Sequence, residues 1–313
     1  MRRMLVIVNP HATGVSDELR AQVLRTLEGG YQVRTAQTQA QGHAVQLARE
    51  AVQDGFDAVA AFGGDGTVNE AANGVIGARD GGPAGALACI PAGQANIFAK
   101  MLGLPTDAQR AGERLVALAE SWPARSVDLG VVNGRCFTFS SGVGVDAAVT
   151  RQVDSNPRLK ARFGPWYYTW AVACALARRY SVRPPRMAVD VPGGPSAVLR
   201  GVTTVVQNGS PFTFFKSRPI EIADASALDS GTLAGAVLRR VWPVDLPFLA
   251  FRALSERSRV SAHPQVSAFS GVSELTVRSA DGRGLPLQVD GDYLGEVTEA
   301  RYSILPGALN VLA

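Results

Sequence analysis

The first 124 residues switch repeatedly between two hydrophobic periods, and this switching constrains the fold more than any other feature. Short apolar runs, "MLVIVN", "YQVRTAQT", "DAVAAFG" and "GALACIPAG", are separated by "DELRAQVLRTLE", "HAVQLAREAVQDG" and "TVNEAANGV", and are followed by "ANIFAKMLG" and "AQRAGERLVALAESW". Apolar runs of about five residues alternating with a helical repeat are βαβ units, whose parallel strands are buried on both faces. From "RSVDLGVV" onward the texture changes to short alternating segments bounded by Gly, Pro, Asp and Ser: "RCFTFSSGVGV", "RMAVDV", "VLRGVTTVVQN", "PIEIAD", "TLAGAVLRR", "ELTVRS", "LPLQVDG" and "RYSILP". That texture is mostly antiparallel β structure. Helical interruptions are expected around Pro165–Tyr180 and Pro243–Arg257. The chain is therefore expected to hold an α/β domain over residues 1–124 and a β-rich domain over 125–313, with the break near "SWPARS". The last ~10 residues are allowed to pack back on the first domain.

Length agrees with two domains, since 313 residues exceed one small core. The net charge of +4 and the three widely spaced cysteines, Cys89, Cys136 and Cys174, argue neither for nucleic acid nor for a disulfide or zinc framework. The apolar run Met4–Val8 is too short for the core of a signal peptide, and "WYYTWAVACALA" falls short of the ~20 residues of a membrane span. No segment is expected to cross a bilayer.

"GGDGT", Gly63–Thr67, ends the third strand and opens a helix. Ligands of open parallel sheets bind beyond the carboxyl ends of the strands, and the free N–H groups of a helix start attract anions. Glycines let phosphate oxygens approach the backbone, and Thr67 is placed to cap the helix. Asp65 would repel phosphate unless a cation stood between, which suggests a magnesium-bridged nucleotide. A strand–turn–helix connection without ligand is the alternative. "IPAGQANIFAKMLGLP" repeats the architecture one unit later, and "NPHATG" at Asn9–Gly14 supplies a third loop at the same sheet edge. No GxxxxGK[ST] occurs, so this is not a P-loop. "GVGVDA" from Gly142 resembles half a dinucleotide fingerprint but lies in the β-rich region, where it reads as packing.

"GGDGTVNE", "PAGQANIFA", "SVDLGVVNGRCF", "ASALDSGTL" and "LQVDGD", in this order and spacing, resemble the diacylglycerol kinase catalytic domain family, the bacterial lipid kinases that also include sphingosine and ceramide kinases. NAD kinases and phosphofructokinases share the GGDGT core. The resemblance implies an N-terminal α/β nucleotide domain with a parallel sheet, NAD kinase/phosphofructokinase-like, and a C-terminal, mostly antiparallel β-sandwich. It also implies a cleft where ATP meets a lipid hydroxyl. Carried onto this chain, the ATP contacts are Asn9, Thr13, Thr38, Gly63, Gly64, Asp65, Gly66, Thr67, Val68, Asn69, Gly93, Gln94 and Asn96. The general base is expected in "VDGD" as Asp290, with Asp292 standing where the family usually has glutamate, and Asp65 faces the magnesium–phosphate network. On local grounds Asp290-Gly291 is also a hairpin turn, a role compatible with catalysis.

Besides Asp292, this chain departs from the family at three points. Asp229 is followed by Ser230 where two acids often stand, so Asp229 is the remaining candidate for an additional Mg²⁺ site. Gln94 replaces a usual threonine. "NGSPFTFFKSRP" lacks a glycine run and carries Phe212, Phe214 and Phe215.

Between Arg151 and Arg186 lie eight basic residues and one acid, Asp154, with Phe163, Trp166, Tyr167, Tyr168 and Trp170 among them. A basic, aromatic helix fits a membrane surface; a core helix with a solvated basic face is the alternative. The expectation is thus an ATP- and Mg²⁺-dependent lipid kinase, cytoplasmic and peripheral on the inner membrane face, binding no nucleic acid and able to pair as a homodimer. The alternatives are an NAD kinase-type enzyme with a soluble acceptor and an inactive lipid- or nucleotide-binding regulator.

Overall fold

The computed structural model describes residues 1–78, 85–154, 184–193, 198–215, 218–224, 227–240, 252 and 259–313. The helices expected at Pro165–Tyr180 and Pro243–Arg257 lie outside the described residues, Arg252 apart, as does most of the basic aromatic stretch. The chain forms two compact units, Met1–Leu129 with Gly307–Ala313, and Gly130–Pro306.

In the first unit, β1 (Arg2–Val8), β2 (Tyr31–Gln37), β3 (Ala58–Gly63) and β4 (Ala86–Pro91) form a parallel sheet in the order β2-β1-β3-β4. Every residue of β3 and β4 is buried, as a parallel strand covered on both faces requires. The end of the chain's last strand, β18 (Glu299–Leu312), lies parallel to β4, with Val311 opposite Leu87. Five helices connect or follow these strands: α1 (Asp17–Leu27), α2 (His43–Gln53), α3 (Asp65–Gly77), α4 (Ile97–Met101) and α5 (Ala108–Leu118). Helix α1 starts on Ser16, whose hydroxyl accepts the Leu19 N–H, and α5 starts on Asp107, which accepts from Arg110. The core joins Val6, Phe62 and Ile90 of the sheet to Val23, Leu27 and Leu115 of the helices.

The second unit is a β-sandwich, with a separate antiparallel pair of short strands, β11 (Thr213–Phe215) and β12 (Arg218–Ile220). One sheet runs β14 (Val266–Val272), β13 (Leu233–Leu238), β10 (Thr203–Gln207), β7 (Ser140–Val143), β16 (Leu285–Val289) and β17 (Asp292–Val297), antiparallel throughout. The other joins the first part of β18 to β15 (Glu274–Ser279), β8 (Met187–Asp190) and β9 (Val198–Gly201), again antiparallel. Val143, Val206, Val237 and Leu287 of one sheet share a core with Val189, Leu199, Val277 and Tyr302 of the other. β5 (Ala124–Val132) turns through Asn133-Gly134, both at positive φ, into β6 (Arg135–Phe137). "GVGVDA" does not lie wholly in β structure: β7 ends at Val143, Gly144 takes φ 99°, and helix α6 (Val145–Asp154) follows.

Candidate active-site elements

The loops after β1, β3 and β4 leave the same edge of the first unit's parallel sheet, and they are laced together. Asn9 Nδ2 donates to Thr67 Oγ1 at 3.1 Å, while Asn9 Oδ1 accepts the His11 N–H at 2.9 Å. The Gly14 N–H donates to the Ala92 carbonyl at 2.9 Å. Asn96, at φ 48°, bonds both the N–H and the carbonyl of Gly93 through its amide. A Cβ on Gly93 would sit 2.6 Å from the Gly64 Cα. The glycines that read as room for phosphate are thus, at positions 64 and 93, room for a neighbouring loop.

Thr67 does not cap α3. It lies inside the helix, 6% exposed, and the cap position is Gly64. The helix begins two residues earlier than an apolar-periodicity reading places it, because the DG pair already has helical backbone.

The four helices that start at this sheet edge differ in how their first N–H groups are satisfied. Ser16 serves α1. At α2 the cap position is Gly42, at φ 84°, and the Glu70 carboxylate of α3 reaches across to accept from Gly42 N–H at 2.7 Å and Ala44 N–H at 3.1 Å. At α4, Asp65 Oδ1 accepts the Phe98 N–H at 3.2 Å. Helix α3 starts on Gly64, which has no side chain to offer. Its first turn, carrying the positive end of a 13-residue helix, is the feature best suited to an anion. The oddity of Asp65 also has a local cause: its charge stands at the starts of both α3 and α4. Beneath it, burial and then the Asp65 charge push the Cys89 thiol up to about 12, so Cys89 stays a neutral packing residue.

The other expected nucleotide residues are unevenly accessible. Thr13 and Gln94 are exposed, Gly66 is half-buried, and Thr38 is half-buried with its N–H on the Val8 carbonyl. Gly63 and Val68 are buried, and Asn69 is 1% exposed with its side-chain oxygen accepting from Asn73.

In the second unit, β16 and β17 are joined by Asp290-Gly291, with φ values of 47° and 86°. Positive φ at both positions is the type I′ requirement, which Asp-Gly meets. Gly291 is exposed, but the Asp290 carboxylate does not point to water. Asp290 is 4% exposed, and its backbone N–H donates to the Ser140 carbonyl. Its Oδ2 accepts from Thr138 N–H (2.6 Å) and the Thr138 hydroxyl (2.8 Å), and its Oδ1 from the N–H groups of Phe139 and Ser140 (both 3.0 Å). Burial pushes this carboxyl above its usual range, opposed by these four donors. Asn208 fixes the same segment, donating from Nδ2 to the Thr138 carbonyl at 3.0 Å. Asp292, the first residue of β17, is half-buried. Asp229 is exposed, and among the described residues no group of three His, Cys, Asp or Glu side chains could hold a metal.

Two family models cover this arrangement. Residues 3–131 match the diacylglycerol kinase catalytic domain, and residues 140–313 match the YegS C-terminal NAD kinase beta sandwich-like domain. The chain belongs to this lipid kinase family. It is a phosphotransferase with an alcohol group as acceptor. A diacylglycerol kinase of Bacillus subtilis is 36% identical over 171 residues, 54% of each chain, so the kinase spans about half the length of that relative in the match. A Pseudomonas aeruginosa protein named "Probable lipid kinase YegS-like" is 28% identical over 99% of this chain and 93% of its own. A crystal structure of a diacylglycerol kinase from Bacillus anthracis is similar at a TM-score of 0.74 and 21% identity, over 99% of the kinase and 96% of that chain. No helix among the described residues is long and apolar enough to cross a membrane.

Sequence reading did not find Glu70 as a helix cap or Thr138–Ser140 as the seat of Asp290. The "NE" closing GGDGTVNE was the signal for the first, since a carboxylate on a buried helix face needs donors. For the second no local signal exists, because the partners lie about 150 residues apart.

Proposed function

We propose that this lipid kinase transfers the γ-phosphoryl group of ATP to a hydroxyl of a diacylglycerol- or sphingoid-like lipid. The observation that carries the ATP half is the start of α3: a helix that opens at a glycine with no capping side chain, flanked by Asp65 and by the loops of Asn9–Gly14 and Gly93–Asn96. Phosphoryl transfer needs positioning and charge neutralisation more than covalent help, and backbone N–H groups supply both. Magnesium is held in such sites by one or two carboxylates, substrate phosphates and water, and Asp65 is the carboxylate at this edge that fits. Asn9, Thr13, Thr38, Gly66 and Gln94 would border the nucleotide. Asp290 would take the proton of the acceptor hydroxyl, its burial favouring a carboxyl basic enough for the task.

One observation favours a second assignment within the same function. Each Asp290 oxygen already accepts two hydrogen bonds, whereas the half-buried Asp292 follows one residue after Gly291. On this assignment Asp290 fixes the turn and Asp292 receives the proton. Membrane contact through residues 151–186 on the inner face belongs to the same proposal, as does a further cation at Asp229.

The test is transfer of label from [γ-³²P]ATP to mixed micelles of diacylglycerol, monoacylglycerol, sphingosine and ceramide, with Asp290→Asn and Asp292→Asn alongside. Labelled lipid, lost in one variant, assigns the base. Intact ATP binding without labelled lipid overturns the lipid acceptor, and NAD is then the acceptor to assay.

A further inference from the structure

Gln288, two residues before the Asp290 turn, is buried at 3% exposure and has each of its polar groups engaged. Its Oε1 accepts the Gly291 N–H at 2.9 Å. Its Nε2 donates to Asp146 Oδ2 at 2.6 Å, a short, charge-assisted bond. Its backbone carbonyl accepts the Ser141 hydroxyl at 2.7 Å, and that hydroxyl lies 3.0 Å from the Tyr302 hydroxyl. An amide can turn over, exchanging its oxygen and nitrogen. Here the Asp146 carboxylate, which only accepts when ionised, selects the orientation that presents oxygen to Gly291. A second, independent feature makes room for this pair. Gly142 in β7 lies against it: a Cβ there would collide with Asp146 Oδ2 and stand 2.9 Å from Gln288 Nε2. The glycine and the acid of "GVGVDA" thereby acquire a use that no nucleotide fingerprint supplies.

We propose that Gln288, oriented by Asp146, is a positioning residue that fixes the Asp290–Gly291–Asp292 turn for proton acceptance. This rests on the reading that the turn is catalytic. Gln288 touches no reacting atom. It acts by holding the Gly291 N–H, whose φ of 86° is one of the two positive φ values that make the turn. A turn freed at that point would still form, but its carboxylates would sample more than one orientation.

The decisive experiment exchanges the two partners. Gln288→Glu alone sets two carboxylates against each other, whereas Asp146→Asn combined with Gln288→Glu restores a donor–acceptor pair with one charge and an oxygen still facing Gly291. Lipid phosphorylation kinetics are measured on the whole chain, with thermal unfolding of each variant. The expected result is a kcat about 20-fold lower in Gln288→Glu with KM for ATP within about two-fold, and recovery to within about three-fold of wild type in the double variant. Gly142→Ala should resemble Gln288→Glu. Full activity in Gln288→Glu, or a folded double variant no better than the single, would overturn the proposal. Should Gln288→Glu fail to fold, a folded and active double variant supports the pairing and an inactive one overturns it. Asp290→Asn and Asp292→Asn keep the two readings apart. Loss of activity there with none in Gln288→Glu removes only the positioning role, while full activity in both removes the catalytic turn beneath it.

Discussion

Both units join carboxylates to backbone N–H groups, and they do so to opposite effect. At the sheet edge of the first unit, Glu70 and Asp65 each accept from the starts of neighbouring helices, and α3 itself starts on Gly64, which has no side chain. At the hairpin of the second unit, three N–H groups and a hydroxyl converge on one carboxylate of the chain's own. The first arrangement ties neighbouring helix starts and loops to one another. The second has all four of these donors committed to one carboxyl group. Single contacts spread over several loops suit a binding edge, and a saturated carboxylate suits rigidity; under the proposed function the first would serve the nucleotide and the second a fixed acid–base turn.

The largest test of this contrast is at Asp290. Asp290→Asn should lower transfer by at least about a hundredfold and also destabilise the second unit by about 2–4 kcal/mol, because an amide nitrogen would face donors that only an acceptor satisfies. Asp292→Asn should lower transfer without a comparable shift in the denaturant midpoint. Equal stability losses in both would break the distinction drawn between them.

At the other edge, Gly93→Ala drives a Cβ against Gly64 and against Asn96 Oδ1, 2.9 Å away. It should raise KM for ATP about tenfold and cost about 1–3 kcal/mol, read by nucleotide titration and urea unfolding. Glu70→Gln should cost about 1–2 kcal/mol, since one of its two helix donors would meet an NH₂ group. Faster hydrogen exchange at the Gly42 and Ala44 amides would report the loss directly.

The smallest effect concerns pH. Burial raises the Asp146 carboxyl, against the bond from Gln288. The folded chain therefore keeps that proton to higher pH than the unfolded chain, whose aspartate titrates near 4. Between those two values the native state binds more protons, so unfolding free energy falls as pH rises. Asp290 adds a slope of the same sign. Asp146→Asn should flatten part of this decline in a series of melting temperatures from pH 4 upward, and an unchanged slope would show that Asp146 titrates normally.

The α/β half was legible element by element, because βαβ units write a clear change of period into the chain. Helix α1 also advertises its cap, Ser16 followed by Asp17 and Glu18. The sandwich was legible in texture and less so in detail. Strands β14 and β17 were not anticipated, since "VSAFSGV" and "DYLGEV" show polar, glycine-bearing edges with little alternation. Helix α6 hid behind a glycine pair that suggested β packing. Among the site residues, the glycine loops stood out as a pattern. The reasons for Gly64 and Gly93 did not, because they concern a contact between two loops some thirty residues apart. Gln288 had no local signature at all; its role depends on which way an amide faces.

Strand β18 has a consequence for how the chain is made. Its last residues extend the sheet begun by β1 to β4, with Val311 beside Leu87. A ribosome adding about 5–20 residues per second takes roughly 10–35 s to travel from Leu129 to Gly307. During that interval the first unit emerges without its β18 segment, leaving an edge of β4 exposed to foreign pairing. The first unit is therefore begun before the second and completed after it, and a nascent chain stalled before Gly307 should bind ATP poorly and be readily digested by protease.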